Sequence, residues 1–348
     1  MAKRSKKEEK FNYNASVNAL RTEGAQSLYL IWGPEDYLAD RFFDEVKKLC
    51  ITSDADDFSY RRLDERDFSP LTLREAVDSV PFLSERSLVE IRGVDINKLP
   101  NADEIGNILA DIPDYCTVVF MAPIGFEPDK RLKLYKAIQK HGREICVTAQ
   151  GGDILIKWII RRFAAAGKGI ELNAVQRLIN VSGDLMNGLI PEINKIAAYA
   201  KDERVTEADV DAVAHHIPEA VVFDMTEALA KGENNAAMRL LAELLADKNN
   251  EPTMILAMVG MQMRKLYAAR VAIDAGLGAD YVMKTLGLKY DFIANRLLAS
   301  SRRFSTKQLA HAVELCAQTD YAMKSSKTEP TELLKDCVMR IAAGDTDA

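Results

Sequence analysis

The stretch SLYLIWGPEDYLADRFFDEVKKL, Ser27 to Leu49, constrains this chain more than any other. Leu28 to Trp32 form an unbroken apolar run, as a strand buried on both faces does. Gly33 follows as a turn, and the apolar residues then recur at helical spacing. A phosphate-binding loop at such a turn would read G-x-x-x-x-G-K-[ST], with backbone amides and a lysine around the phosphates. Here the turn reads Gly33, Pro34, Glu35, Asp36. Two carboxylates stand where a triphosphate needs positive charge. The chain opens like a nucleotide-binding fold without the means to hold a nucleotide, which points away from an ATPase and toward a scaffold kept for binding partners.

The next hundred residues keep that character. LYLIW (Leu28 to Trp32), SLVEIRGV (Ser87 to Val94), TVVFMA (Thr117 to Ala122) and EICVTA (Glu144 to Ala149) alternate with helical patterns, so a parallel sheet wrapped by helices is expected. An ATPase would end one of these strands in acidic residues that hold magnesium. SLVEIRGVDIN instead passes through Gly93 and Val94 to the isolated Asp95, and TVVFMAPIG ends in Ala122-Pro123. No S-R-C triplet offers an arginine finger. The absences agree with the missing loop.

After Gly151-Gly152, which reads as a hinge because no G-x-G-x-x-G accompanies it, the strand signal stops. Apolar residues then recur at three and four, as in ILIKWIIRRFAAAG and LIPEINKIAAYA. Thr206 with Asp209 three residues on reads as a helix start, and Pro218 after His215-His216 as a helix stop. A bundle of about four helices is expected to end there, with longer helices to follow. The histidine pair has no third ligand and no H-E-x-x-H spacing, so no metal site is expected. Arg161-Arg162 and Arg302-Arg303 fall on amphipathic helices and read as solvated faces.

Composition narrows the classes further. A chain of 348 residues, 48% hydrophobic and 28% charged, has the length for about two or three domains. No window reaches the ~18 apolar residues of a membrane span, and MAKRSKKEEK has no apolar run behind its basic residues. A cytoplasmic protein with no membrane contact and a charged, disordered start before about Asn14 is expected. Five scattered cysteines form neither a disulfide framework nor a C-x-x-C site and read as reduced, mostly buried thiols. A net charge of −6 argues against coating nucleic acid through overall charge.

One connection is unexpectedly apolar: LREAVDSVPFLSERSLVEI, Leu73 to Ile91. Leu73, Val77 and Val80 have helical spacing, and Pro81 then ends the helix with Phe82 and Leu83 at its tip. Two readings stand at this point. The pair folds back as a staple over the next strand, or it projects as a hydrophobic wedge for another protein's pocket, where such anchors dominate binding.

These segments together resemble the delta subunit of the bacterial DNA polymerase III clamp loader. The resemblance rests on YLIWGPEDYLADR, on P-F-L-S-E-R before a strand and on W-I-x-R-x-x-A-A-x-G from Trp158 to Gly167. It continues through IPEINKIAAYA, VTEADV, VFDMTEAL, LGLKYDFIANRLL and RRFS, covering about Ser27 to Ala342. It implies an α/β plus all-α chain. Residues 1–26 would be an extension with a first helix, and 27–150 a degenerate AAA+ domain with a P-loop-like parallel sheet. Residues 151–218 would form a helical lid, and 219–348 a helical collar for oligomerisation. A subunit of this kind needs no cofactor or metal and has no catalytic site of its own, although it works within the DNA-directed DNA polymerase III holoenzyme. It binds the beta sliding clamp and opens it. The family's clamp-binding element carries onto Phe82 and Leu83, with Leu73, Val77 and Val80 in support. Gly33, Pro34, Glu35 and Asp36 would be the lost nucleotide loop, and Tyr290 and Phe292 would approach DNA by stacking on a base. The implied partners are the clamp, the gamma/tau ATPase subunits and delta-prime in a hetero-pentamer, and primer-template DNA in the assembled loader. Two other classes stay open: a divergent AAA+ ATPase, and a helical DNA-binding regulator.

Overall fold

A computed structural model describes residues 12–51, 58–81 and 84–344. The chain divides into two units, one of residues 1–150 with Leu185–Asn187, the other of residues 151–184 and 188–348. The expectation for the charged start before Asn14 falls almost wholly outside the described residues.

The first unit runs α1 (Tyr13–Glu23), β1 (Leu28–Trp32), α2 (Asp36–Cys50), β2 (Tyr60–Asp64), α3 (Pro70–Val77), β3 (Ser87–Arg92), α4 (Ala102–Ala110), β4 (Cys116–Met121), α5 (Lys133–His141) and β5 (Arg143–Cys146). All five strands are parallel, in the order β2-β3-β4-β1-β5. Leu30 sits at the centre, opposite Phe120 on one side and Glu144 on the other. Side chains alternate along a strand. Leu28 and Leu30 therefore join the core formed with Leu73 and Val77 of α3, Ile105 and Ile108 of α4 and Leu134 of α5. Tyr29 points the other way, edge-on to Phe42 of α2 at 6.0 Å between ring centres. Helices cover both faces, so β1 is buried up to Trp32 and β4 throughout.

Strand β2 has no counterpart in the sequence reading. YRRLD lies at the sheet edge, pairs only with β3 and buries Leu63 alone of its five residues. An edge strand with arginines is a device against further pairing, and it leaves little apolar signal.

The second unit comprises α6 (Asp153–Ala165), β6 (Gly169–Ile170), α7 (Leu172–Ser182), α8 (Met186–Tyr199, whose first two residues cluster with the first unit), β7 (Arg204–Val205), α9 (Glu207–Val213), α10 (Pro218–Lys231), α11 (Asn234–Ala246), α12 (Pro252–Asp274), α13 (Ala279–Leu286), α14 (Asp291–Ser301), α15 (Thr306–Ser325) and α16 (Pro330–Ala343). Contrary to the expectation of helices alone, β6 and β7 pair in parallel through two residues each, too short for any periodicity. Thr206 caps α9 in a reciprocal box with Asp209. Pro218, expected as a stop, opens α10 at its first turn, where a missing N–H costs nothing.

Ion pairs, most of them half-buried, tie four of these helices. Arg177 of α7 reaches Asp211 of α9 at 2.6 Å and Asp224 of α10 at 2.9 Å. Arg296 of α14 meets Asp224 at 3.2 Å and Glu227 at 2.6 Å, its guanidinium 4.5 Å from the centre of the Phe223 ring. Of the five cysteines, all free, four are buried and Cys146 is half-buried.

Replacing Leu30 by Ala is expected to cost the first unit about 2–5 kcal/mol in denaturant unfolding. Leu49→Ala, on the exposed flank of α2, is expected to change it by less than about 0.5 kcal/mol.

Candidate functional site

The turn after β1 is governed by contact between backbones. Gly33 has φ +132, and a Cβ there would lie 2.1 Å from the Val147 carbonyl oxygen. The Val147 amide in turn donates to the Trp32 carbonyl at 2.7 Å. No other residue fits this conformation against that wall. The loop then exposes Pro34 and turns the side chain of Glu35 fully inward. The Glu35 carbonyl accepts from the Leu38 and Ala39 amides at 3.1 Å each, starting α2. Its carboxylate accepts from the Met186 amide, with both oxygens at 3.2 Å. Met186 belongs to the same unit.

Beside this turn a cleft of about 230 Å³ opens at the carboxyl ends of β1, β3 and β4, lined by Trp32, Asp36, Asp40, Arg92, Pro123 and Asn187 among others. Open parallel sheets place their ligand crevices at such ends. This one carries carboxylates. Burial first, then the charge of Asp40, holds the Asp36 carboxyl above its usual range, against the opposing pull of Arg92.

Arg92 is already engaged. Its Nη1 donates to Asp40 Oδ1 at 2.8 Å and its Nε to Glu90 Oε1 at 2.5 Å. Glu90, only 1% exposed, also accepts from the Tyr60 hydroxyl, and the Lys47 ammonium stands 3.6 Å from the centre of the Tyr60 ring. Burial, then hydrogen bonding to Glu90, pushes the Tyr60 phenol well up. The sequence reading passed over this cluster. Its signal was a carboxylate inside an apolar strand with an arginine two residues on, hence on the same face. An arginine thus ends β3 where a nucleotide-hydrolysing site needs metal-binding carboxylates. Among the described residues that line the cleft, Asp36 and Asp40 are carboxylates and the cation Arg92 is held in ion pairs.

The connection from α3 to β3 is anchored at both ends. Ser69 caps α3 in a reciprocal box with Thr72, and Pro70 occupies the first turn. Leu73 and Val77 are fully buried in the sheet core, so they hold the helix and present nothing to a partner. The helix stops at Val77, with Asp78 as its cap. Val80 therefore lies beyond the helix whose spacing it matched, because a residue before proline is driven from helical backbone. It is 71% exposed. Phe82 and Leu83 lie outside the described residues. The chain is buried again at Ser84 and Ser87, where the Ser87 amide donates to the Tyr115 carbonyl at 2.7 Å. In the second unit, Tyr290 is 5% exposed, with its ring 5.3 Å from that of half-buried Phe292. A base could stack on Tyr290 only if this pair opened.

A five-stranded parallel sheet with a glycine turn after β1, a cleft at the strand ends and a helical unit following define an α/β plus all-α protein. Residues 29–148 match the family model of the DNA polymerase III delta subunit, and residues 219–341 match that of its C-terminal domain. The chain is 22% identical to the DNA polymerase III subunit delta of Bacillus subtilis over 91% of its own length and 93% of the relative's. It is 21% identical to a probable DNA polymerase III subunit delta of Aquifex aeolicus over 58% of each. The solved Bacillus subtilis DNA clamp loader delta protein shares the fold at a TM-score of 0.52 and 20% identity, covering 95% of this chain and 100% of that one. The chain belongs to the DNA polymerase III delta subunit family, the clamp-loader delta subunits.

Arg92→Met leaves Glu90 buried without its cation. It is expected to destabilise the first unit by about 2–3 kcal/mol, the low end for a broken buried pair because Arg92 itself is partly exposed. Asp36→Asn should act in the opposite sense. A carboxyl whose pKa is raised by folding loses stability as pH climbs from its unfolded to its folded value. The variant should be more stable than the parent at pH 7, and the gain should vanish below the unfolded pKa of about 3.9, as unfolding curves across pH would show.

Proposed function

We propose that this subunit binds the ring-shaped sliding clamp through the tip between α3 and β3 and holds the ring open for loading onto primed DNA, without turning over nucleotide itself. The observation that carries the reading is the tip's setting. Three residues past fully buried Val77, the chain exposes the apolar side chain of Val80 immediately before Pro81-Phe82-Leu83. A helix locked into the core by Leu73 and Val77 loses little entropy when its tip is bound. Burial of Phe82 and Leu83 in a partner's pocket would supply roughly 1.5–3 kcal/mol each. A ring opens under such a ligand only if the ligand prefers the open form, so the tip must fit the parted interface better than the closed one.

The cleft supports the same division of labour, since its carboxylates leave nucleotide chemistry to neighbouring ATPase subunits. On α12, the exposed side chains of Met254, Met261, Tyr267 and Val271 offer apolar surface for packing against other subunits of a pentameric loader as a collar.

Binding of the full chain to the sliding clamp from the same source, without nucleotide, tests this. Phe82→Ala with Leu83→Ala should weaken binding at least ~100-fold with no change in unfolding midpoint. Unchanged affinity, or DNA binding that needs no clamp, would refute the tip and favour the DNA-binding regulator.

A further inference from the structure

Glu35 is the least expected feature of the first unit, because an isolated carboxylate avoids full burial unless something holds its charge. Its oxygens both face the Met186 amide at 3.2 Å, and Met186 begins α8. A helix N-terminus carries unsatisfied amides and partial positive charge, which is why such ends bind phosphates. The next residue of α8, Asn187, lines the 230 Å³ cleft together with Asp36, which stands in the first turn of α2. Two helix starts thus meet carboxylates of the chain itself within one unit.

We propose that Glu35 is a built-in anion: its carboxylate takes the position that a bound phosphate would take at the start of α8, and so holds Leu185–Asn187 to the first unit without any nucleotide. The backbone of Gly33 against Val147 directs the loop inward and fixes the next residues. Tethering makes the carboxylate an intramolecular ligand, against which a dissolved anion competes poorly. The fold therefore keeps a nucleotide-independent setting of this segment, unlike a cleft that an exchanging phosphate organises. The inference does not depend on the clamp-binding reading.

The test uses the full chain with Glu35→Gln and Glu35→Ala, read by the thermal midpoint and by amide exchange over residues 185–189. Glutamine keeps the shape and an acceptor but removes the charge. It should lower the midpoint by about 3–8 °C and speed exchange at Met186 and Asn187 at least ~10-fold. In Glu35→Ala, acetate should raise the midpoint more than chloride does at equal ionic strength, with no such difference in the parent. The proposal is overturned by a glutamine variant that matches the parent in both readouts. It is equally overturned by a folded alanine variant that responds to acetate and chloride alike. Should Glu35→Ala not fold, the glutamine comparison decides alone.

Discussion

At 2.1 Å from the Val147 carbonyl oxygen, the Cβ position of Gly33 is forbidden space, and that contact joins the end of β1 to the chain leaving β5. Much follows from it. With the turn pinned on that side, Pro34 stays exposed and Glu35 turns in as a buried acceptor. The first turn of α2 then presents Asp36 to the cleft, so the geometry that could cradle a phosphate is spent on the protein's own carboxylates.

The same economy governs the far side of the cleft. Arg92 at the end of β3 pairs with Glu90 in the sheet interior and Asp40 on α2, so one guanidinium gives a buried strand carboxylate its partner and ties strand to helix. A buried polar group must find a partner, and Glu90 finds two, in Arg92 and in the Tyr60 hydroxyl.

Charge also organises the second unit. Asp224 accepts from both Arg177 and Arg296, so α7, α10 and α14 share a single anion, and Asp211 adds α9. Such pairs contribute little net stability compared with apolar packing of the same volume, but breaking one leaves a stranded charge.

Local pattern was enough for some of this protein and not for the rest. The continuous apolar runs of β1 and β4, buried on both faces, declare a parallel sheet, and the box at Thr206 and Asp209 declares a helix start, because both depend on neighbours in the chain. The departure of the turn after β1 from G-x-x-x-x-G-K-[ST] is equally legible, since that motif is defined by particular residues at fixed spacing. Edge strand β2 escaped notice with only Leu63 buried, and Val80 was misplaced on α3 because matching spacing does not report where a helix ends. The sequence by itself determined the parallel sheet, the residue types in the turn after β1 and the apolar pair that follows Pro81. Only the tertiary structure decided the partners of Glu35, Glu90 and Arg177, because each pairs a charge with a group that folding alone brings near. Met186 stands 151 positions from Glu35, and no periodicity in the sequence extends so far.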